Sequence, residues 1–198
     1  MSSPAAELGT QFHAWAEWFL NERRPDHEAL SYDGQHADLG GGLAGGPSEA
    51  PETADDAQLR LWSQRLETSR WAGRLPVWTE RSIVVNVPGI GLVNGKLDAV
   101  FAGGLRPDDA GKRYTVVDWK TGRRPSGPKD TARKLAQLDM YRLLLAAVEG
   151  IPLDSIDATL YYVSESDEDR RELHARGKTE QEILTELSSG IPEQSDND

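Results

Sequence analysis

An aspartate and a lysine two residues apart close a short apolar run, and they are the groups in this chain best placed to do chemistry. Thr115, Val116 and Val117 are followed by Asp118-Trp119-Lys120, and Thr121-Gly122 ends the run. A β-branched run bounded by a turn signal predicts a buried strand. Residues two apart on a strand point to the same side, so Asp118 and Lys120 project together from its end. The acid can hold a divalent cation, and the amine can steady a water or a negative transition state. Asp98, twenty residues earlier, falls on the returning strand of a predicted hairpin. That interval suits adjacent antiparallel strands and would bring the two carboxylates together. Such a pair suits Mg²⁺ or Mn²⁺, hard ions that prefer oxygen, and needs a cation to stay ionised. The alternative is structural: a salt bridge between Asp118 and Lys120, with Asp98 as a surface charge.

The elements that must position these groups follow from hydrophobic periodicity. Residues 7–24 read as a helix with Leu8, Phe12, Trp15, Phe19 and Leu20 on one stripe, ended by Pro25. His13 and Glu17 share a face of it. Residues 26–57 are poor in apolar groups and contain Gly40-Gly41-Gly42 and Gly45-Gly46-Pro47, which predicts a flexible insertion at about 31–56, with His27 and His36 as bystanders. A second helix over 55–72 is capped by Asp55 or Asp56 and carries Leu59, Trp62, Leu66 and Trp71. Residues 77–102 form the hairpin, turning at Pro88-Gly89-Ile90-Gly91. The helix over 130–149 has Leu135, Leu138, Tyr141, Leu144 and Leu145 along one side, with Gln137 and Tyr141 four apart, and Gly150-Ile151-Pro152 stops it. A last strand spans 157–163. Beyond it, residues 164–198 read as an acidic tail, partly helical over 178–188 or disordered, with His174 inert. The order implies an α/β (α+β) fold: a mixed central sheet of about four strands flanked by helices, in one domain over 1–163.

Composition narrows the functional classes. The chain has 198 residues, 37% of them hydrophobic, and no cysteine. Disulfides, thiolate metal sites, iron–sulfur clusters and thiol catalysis are excluded. No apolar run is long enough to span a membrane and no secretory signal is visible, so a cytoplasmic location is expected. The net charge of −11 hides an uneven distribution. Residues 26–57 hold eight acids and no base, and residues 164–198 hold eleven acids and four bases, leaving +4 on the remainder. Within that remainder Lys120, Arg123, Arg124, Lys129, Arg133 and Lys134 form a basic run broken only by Asp130. Phosphate binding depends on local basic surface, so the run is either a nucleic-acid contact or a solvated charged loop. Two nucleotide-loop look-alikes fail. Gly91 and Gly95-Lys96 are one residue too close for a P-loop, and Leu97 stands where a hydroxyl is needed. Gly89 and Gly91 lack the third glycine of a dinucleotide loop.

Four blocks in order resemble the nuclease domain of the RecB type within the PD-(D/E)XK superfamily, as fused behind UvrD-like helicases. They are Gly9-Thr10-Gln11-Phe12-His13, Gly95-Lys96-Leu97-Asp98, Val117-Asp118-Trp119-Lys120-Thr121-Gly122 and Gln137-Leu138-Asp139-Met140-Tyr141. The resemblance spans about residues 8–163 and implies a restriction-endonuclease-like core. It implies His13, Asp98 and Asp118 as ligands of Mg²⁺ or Mn²⁺, with the Trp119 carbonyl as a further candidate and Glu80 reaching a second metal. Lys120 is implied to position or activate the attacking water, and Gln137 and Tyr141 to support the site and touch the strand. The four-cysteine cluster of some relatives is absent. The implied activity is metal-dependent hydrolysis of DNA, exonucleolytic on single strands fed by a helicase in the same chain or a partner subunit. The competing readings are a DNA-binding module that does not cut and a scaffold that docks a helicase.

Overall fold

The computed structural model describes residues 3–23, 53–87, 90–106 and 108–190, which divide into two compact units, Met1–Leu75 and Pro76–Asp198. The expected insertion, His27, His36, Pro25 and the Pro88-Gly89 half of the hairpin turn lie outside the described residues.

The first unit is a helix pair. Helix α1, Pro4–Asn21, starts three residues earlier than periodicity suggests. Pro4 sits in the first turn and the Ser3 side chain accepts a hydrogen bond from the Ala6 amide, which meets one of the helix's unpaired donors. Its buried stripe is Leu8, Phe12, Ala16 and Leu20, at strict four-residue spacing. Trp15 and Phe19 stack beside it, half-buried, with ring centroids 5.1 Å apart. Helix α2, Ala54–Glu67, is capped by Thr53 rather than by Asp55 or Asp56. Asp56 instead closes a reciprocal capping box, its carboxylate accepting from the Thr53 amide. Its Trp62 meets Phe12 edge to face, with centroids 6.0 Å apart. Trp71 lies beyond the helix and is fully buried, with Arg70 and Arg74 over its ring.

The second unit is a mixed sheet in the order β1-β2-β3-β4-β5. Strands β1 (Pro76–Val87), β2 (Gly91–Ala102) and β3 (Tyr114–Lys120) form an antiparallel meander. Helix α3, Pro128–Glu149, then carries the chain back so that β4 (Ile156–Tyr162) pairs with β3 in parallel. Pro128 opens α3, and Gly150 closes it in the left-handed region, with φ 62°. Strand β5 (Glu172–His174) adds an antiparallel edge. That short edge strand had no signature in the sequence. His174 belongs to it, its Nδ1 3.1 Å from the Thr159 hydroxyl. Helix α4, Glu180–Gly190, follows.

One face of the sheet packs on α3. Val100, Val116, Leu160 and Tyr162 from the strands meet Leu135, Leu138, Leu144 and Leu145 from the helix. A buried polar tie secures the far side of α3. Arg142 donates to the carbonyls of Ile156 at 2.9 Å, Arg176 at 3.0 Å and Leu153 at 3.2 Å. Asp139 receives the Lys178 ammonium at 2.9 Å. Buried charges are tolerable only when so paired.

At Gly95 on β2 the hairpin backbone lies close against α3. A Cβ there would lie 2.6 Å from Leu144 Cδ1 and 3.6 Å from the Tyr141 ring. Leu144 is fully buried and has little room to yield. Gly95→Ala is therefore expected to destabilise the protein by about 1–3 kcal/mol through overpacking, read as a lower urea midpoint at unchanged slope.

Candidate active site

Strand register assembles the acids. Thr79 and Arg81 on β1 pair with Ala99 and Leu97, which flank Asp98 on β2, so Glu80 stands opposite Asp98. Ala99 in turn pairs with Val117 on β3, which places Asp118 on the other side of Asp98. Glu80, Asp98 and Asp118 thus form a row across three neighbouring strands. Carboxylate oxygens of Glu80 and Asp98 lie within 4.8 Å of each other.

Each acid is held in its own way. The Asp98 carboxylate accepts the Trp119 amide hydrogen at 2.8 Å, which locks it against β3 one peptide from Asp118. Asp118 is almost fully buried, with the Lys120 ammonium 2.6 Å from its Oδ2 and Gln137 Nε2 3.4 Å from its Oδ1. Burying a carboxylate is costly unless it is paired, and Lys120 supplies that pairing. Glu80 is the sole non-glycine residue among those described with a positive φ, 49°. An L side chain is strained in this left-handed region. Its carboxylate is ion-paired with Lys96 across the hairpin.

Helix α3 completes the floor. Gln137 Nε2 donates to the Tyr141 hydroxyl at 2.7 Å as well as reaching Asp118, so the predicted four-residue pair does touch the strand. Burial, and next the Asp118 charge, push the Tyr141 phenol well above its ordinary range. Tyr162 on β4 is pushed up to about 12 for the same two reasons, and its buried hydroxyl has no hydrogen-bond partner among the described residues. Both phenols are therefore neutral donors at neutral pH.

The remaining predicted residues fall as follows. His13 lies half-buried on α1, in the first unit. The Trp119 ring is buried against Tyr161, with centroids 5.8 Å apart in an edge-to-face pair. The basic run is not a uniform strip. Arg123, Lys129 and Arg133 are exposed and Lys134 is half-buried. Arg133 pairs with Asp130 at 3.0 Å, and Arg124 turns to donate to the Glu172 carbonyl on β5 at 3.3 Å. Two residues at the site were missed. Lys96 lies two before Asp98, the same spacing that singled out Asp118 and Lys120, and that spacing would have found it. Tyr162 follows from period two along β4, but only once the parallel pairing of β4 with β3 is known.

A sequence model of the PD-(D/E)XK nuclease superfamily matches residues 2–196, nearly the whole chain. The chain belongs to the PD-(D/E)XK nuclease superfamily. The fold agrees: the crystal structure of a proposed exonuclease from Eubacterium rectale superposes with a TM-score of 0.58 at 14% identity, over 97% of this chain and 66% of that one. This PD-(D/E)XK chain therefore spans just under two thirds of that neighbour's length. No curated protein matches it in sequence. Among the described residues, no helix is long and apolar enough to cross a membrane.

The strain at Glu80 gives a direct test. Within a strand, glycine is normally worse than alanine. At position 80 the order should reverse, with Glu80→Gly about 1 kcal/mol more stable than Glu80→Ala in urea denaturation.

Proposed function

We propose that this chain is a divalent-metal-dependent deoxyribonuclease of the RecB type. In this reading it acts as an exonuclease on single-stranded DNA delivered by a UvrD-like helicase module, in the same chain or a partner subunit, during double-strand break repair and recombination. The observation that carries the reading is the row of three carboxylates with Lys120 beside Asp118, in a chain matched over nearly its full length to a nuclease superfamily.

The donor set fits a hard cation. The strand residues in it offer only oxygen, carry three negative charges and are already held in place, and Mg²⁺ and Mn²⁺ favour such donors. Asp98 and Asp118 would hold the ion, with Glu80 beside them and the Trp119 carbonyl as a further candidate. The family pattern adds His13. A divalent ion held there would supply Lewis-acid polarisation of the phosphodiester and a lowered pKa for the attacking water.

The chain's own residues account for the rest. The Trp119 amide fixes Asp98, and Gln137 orients Asp118. Lys120, on leaving Asp118, places a point charge where negative charge builds on the phosphate. Tyr141, neutral across the physiological range, keeps Gln137 in register by hydrogen bonding rather than by charge. Arg123, Arg124, Lys129, Arg133 and Lys134 would follow the DNA backbone.

The test is labelled single-stranded DNA with Mg²⁺, Mn²⁺ or EDTA, comparing the wild type with Asp118→Ala and Lys120→Ala. Cutting should require metal and fall at least about a hundredfold in both variants, with the circular dichroism spectrum unchanged. DNA binding that persists without any cutting in metal would favour a binding module of the same fold, and no binding at low salt would favour a helicase-docking domain. Replacing Arg123 and Arg124 together by alanine should lower the slope of log affinity against log salt by about 1. An unchanged slope would remove the run from the footprint.

A further inference from the structure

Lys96 is a second lysine at the acidic row, with no part in the reaction above. It stands two residues before Asp98 on β2 and pairs across the hairpin with Ser82, two residues beyond Glu80. Its ammonium reaches diagonally to the Glu80 carboxylate. The two partners differ sharply in exposure, with 59% of the Lys96 side chain accessible and only 15% of Glu80's. The acid is thus sheltered and held on a strained backbone, while the lysine is long and more than half open to solvent.

The arrangement repeats what Lys120 does for Asp118. Three carboxylates stand in a row, and two ammonium groups each neutralise one of them. Glu80 and Asp98, with oxygens within 4.8 Å, repel each other unless a cation lies between or beside them. An ordinary surface pair of this exposure would contribute little to stability and would have no reason to sit on a left-handed glutamate. A divalent ion brings two charges to the same oxygens and must displace whatever cation is already on them.

Resting on the metal reading above, we propose that Lys96 is an exchangeable counter-ion. Its ammonium holds the Glu80 carboxylate in the absence of a divalent cation and is displaced from it when one binds the acidic row. Lys96 therefore competes with metal, and its removal should make metal bind more tightly, although it is not itself a ligand.

The test is calorimetric titration of the full chain with MnCl₂, without DNA. Lys96→Met should bind Mn²⁺ about two- to fivefold more tightly than wild type, the range expected for lifting one exposed ion pair. In a Glu80→Gln background, where there is no carboxylate to compete for, the same lysine substitution should change Mn²⁺ affinity by less than about a third of that gain. An equal gain in both backgrounds would overturn the exchange, because Lys96 would then act through its charge alone. Unchanged or weaker Mn²⁺ binding by Lys96→Met in the Glu80 background would overturn it as well. A wild type that binds no Mn²⁺ would overturn the metal centre itself, and the exchange with it, which separates the two failures.

Discussion

Carboxylates on adjacent strands repel one another, and in this protein the register of the sheet gives them no way to separate. Glu80, Asp98 and Asp118 are fixed opposite one another by backbone pairing over β1, β2 and β3. To turn any one of them to the other face, a strand would have to slip by one residue, which would carry its apolar face out of the core on α3. The repulsion must therefore be met by cations, and the sequence supplies them at matching positions. Lys120 lies two residues after Asp118, and Lys96 lies two residues before Asp98. Electrostatic frustration is thus built into the sheet and then balanced by side chains that can leave.

The rest of the second unit serves that balance. Helix α3 covers the face from which Asp118 projects, and it can approach only because Gly95 presents no side chain to Leu144 and Tyr141. The same approach delivers Gln137 to Asp118. Burial raises the pull of every charge in the site, and with the Asp118 charge it pushes the Tyr141 and Tyr162 phenols above their ordinary range. Packing, geometry and proton affinity therefore have a common origin in how closely one helix meets one face of the sheet.

Much of this was legible in the sequence, for identifiable reasons. Period-two and helical patterning gave the order of elements and the hairpin, and the interval from Asp98 to Asp118 gave their antiparallel neighbourhood. The i, i+4 rule gave Gln137 with Tyr141, and it proved to be a hydrogen bond. What escaped were features set by distant parts of the chain. The edge strand Glu172–His174 has three residues in an acidic stretch, and only its pairing with β4 makes it a strand. The left-handed glutamate is invisible because nothing in Thr79-Glu80-Arg81 calls for a turn. Thr53 escaped as a cap because two aspartates beside it looked equally suitable, and only the reciprocal bond to Asp56 decides between them. The basic run read as a stripe, yet Arg124 and Arg133 have partners that composition does not reveal.

The polar tie behind α3 bears on how this protein can be trimmed for use. Arg142 spends its guanidinium on the carbonyls of Leu153, Ile156 and Arg176, and Asp139 leans on Lys178. An expression boundary drawn just past the last long strand, near residue 163, would strand a deeply seated aspartate without its lysine and leave the arginine short of one carbonyl. The acidic segment after β4, expendable by composition, contains the residues that seal the underside of the helix bearing Gln137 and Tyr141. A minimal fragment of this fold would have to extend through Lys178.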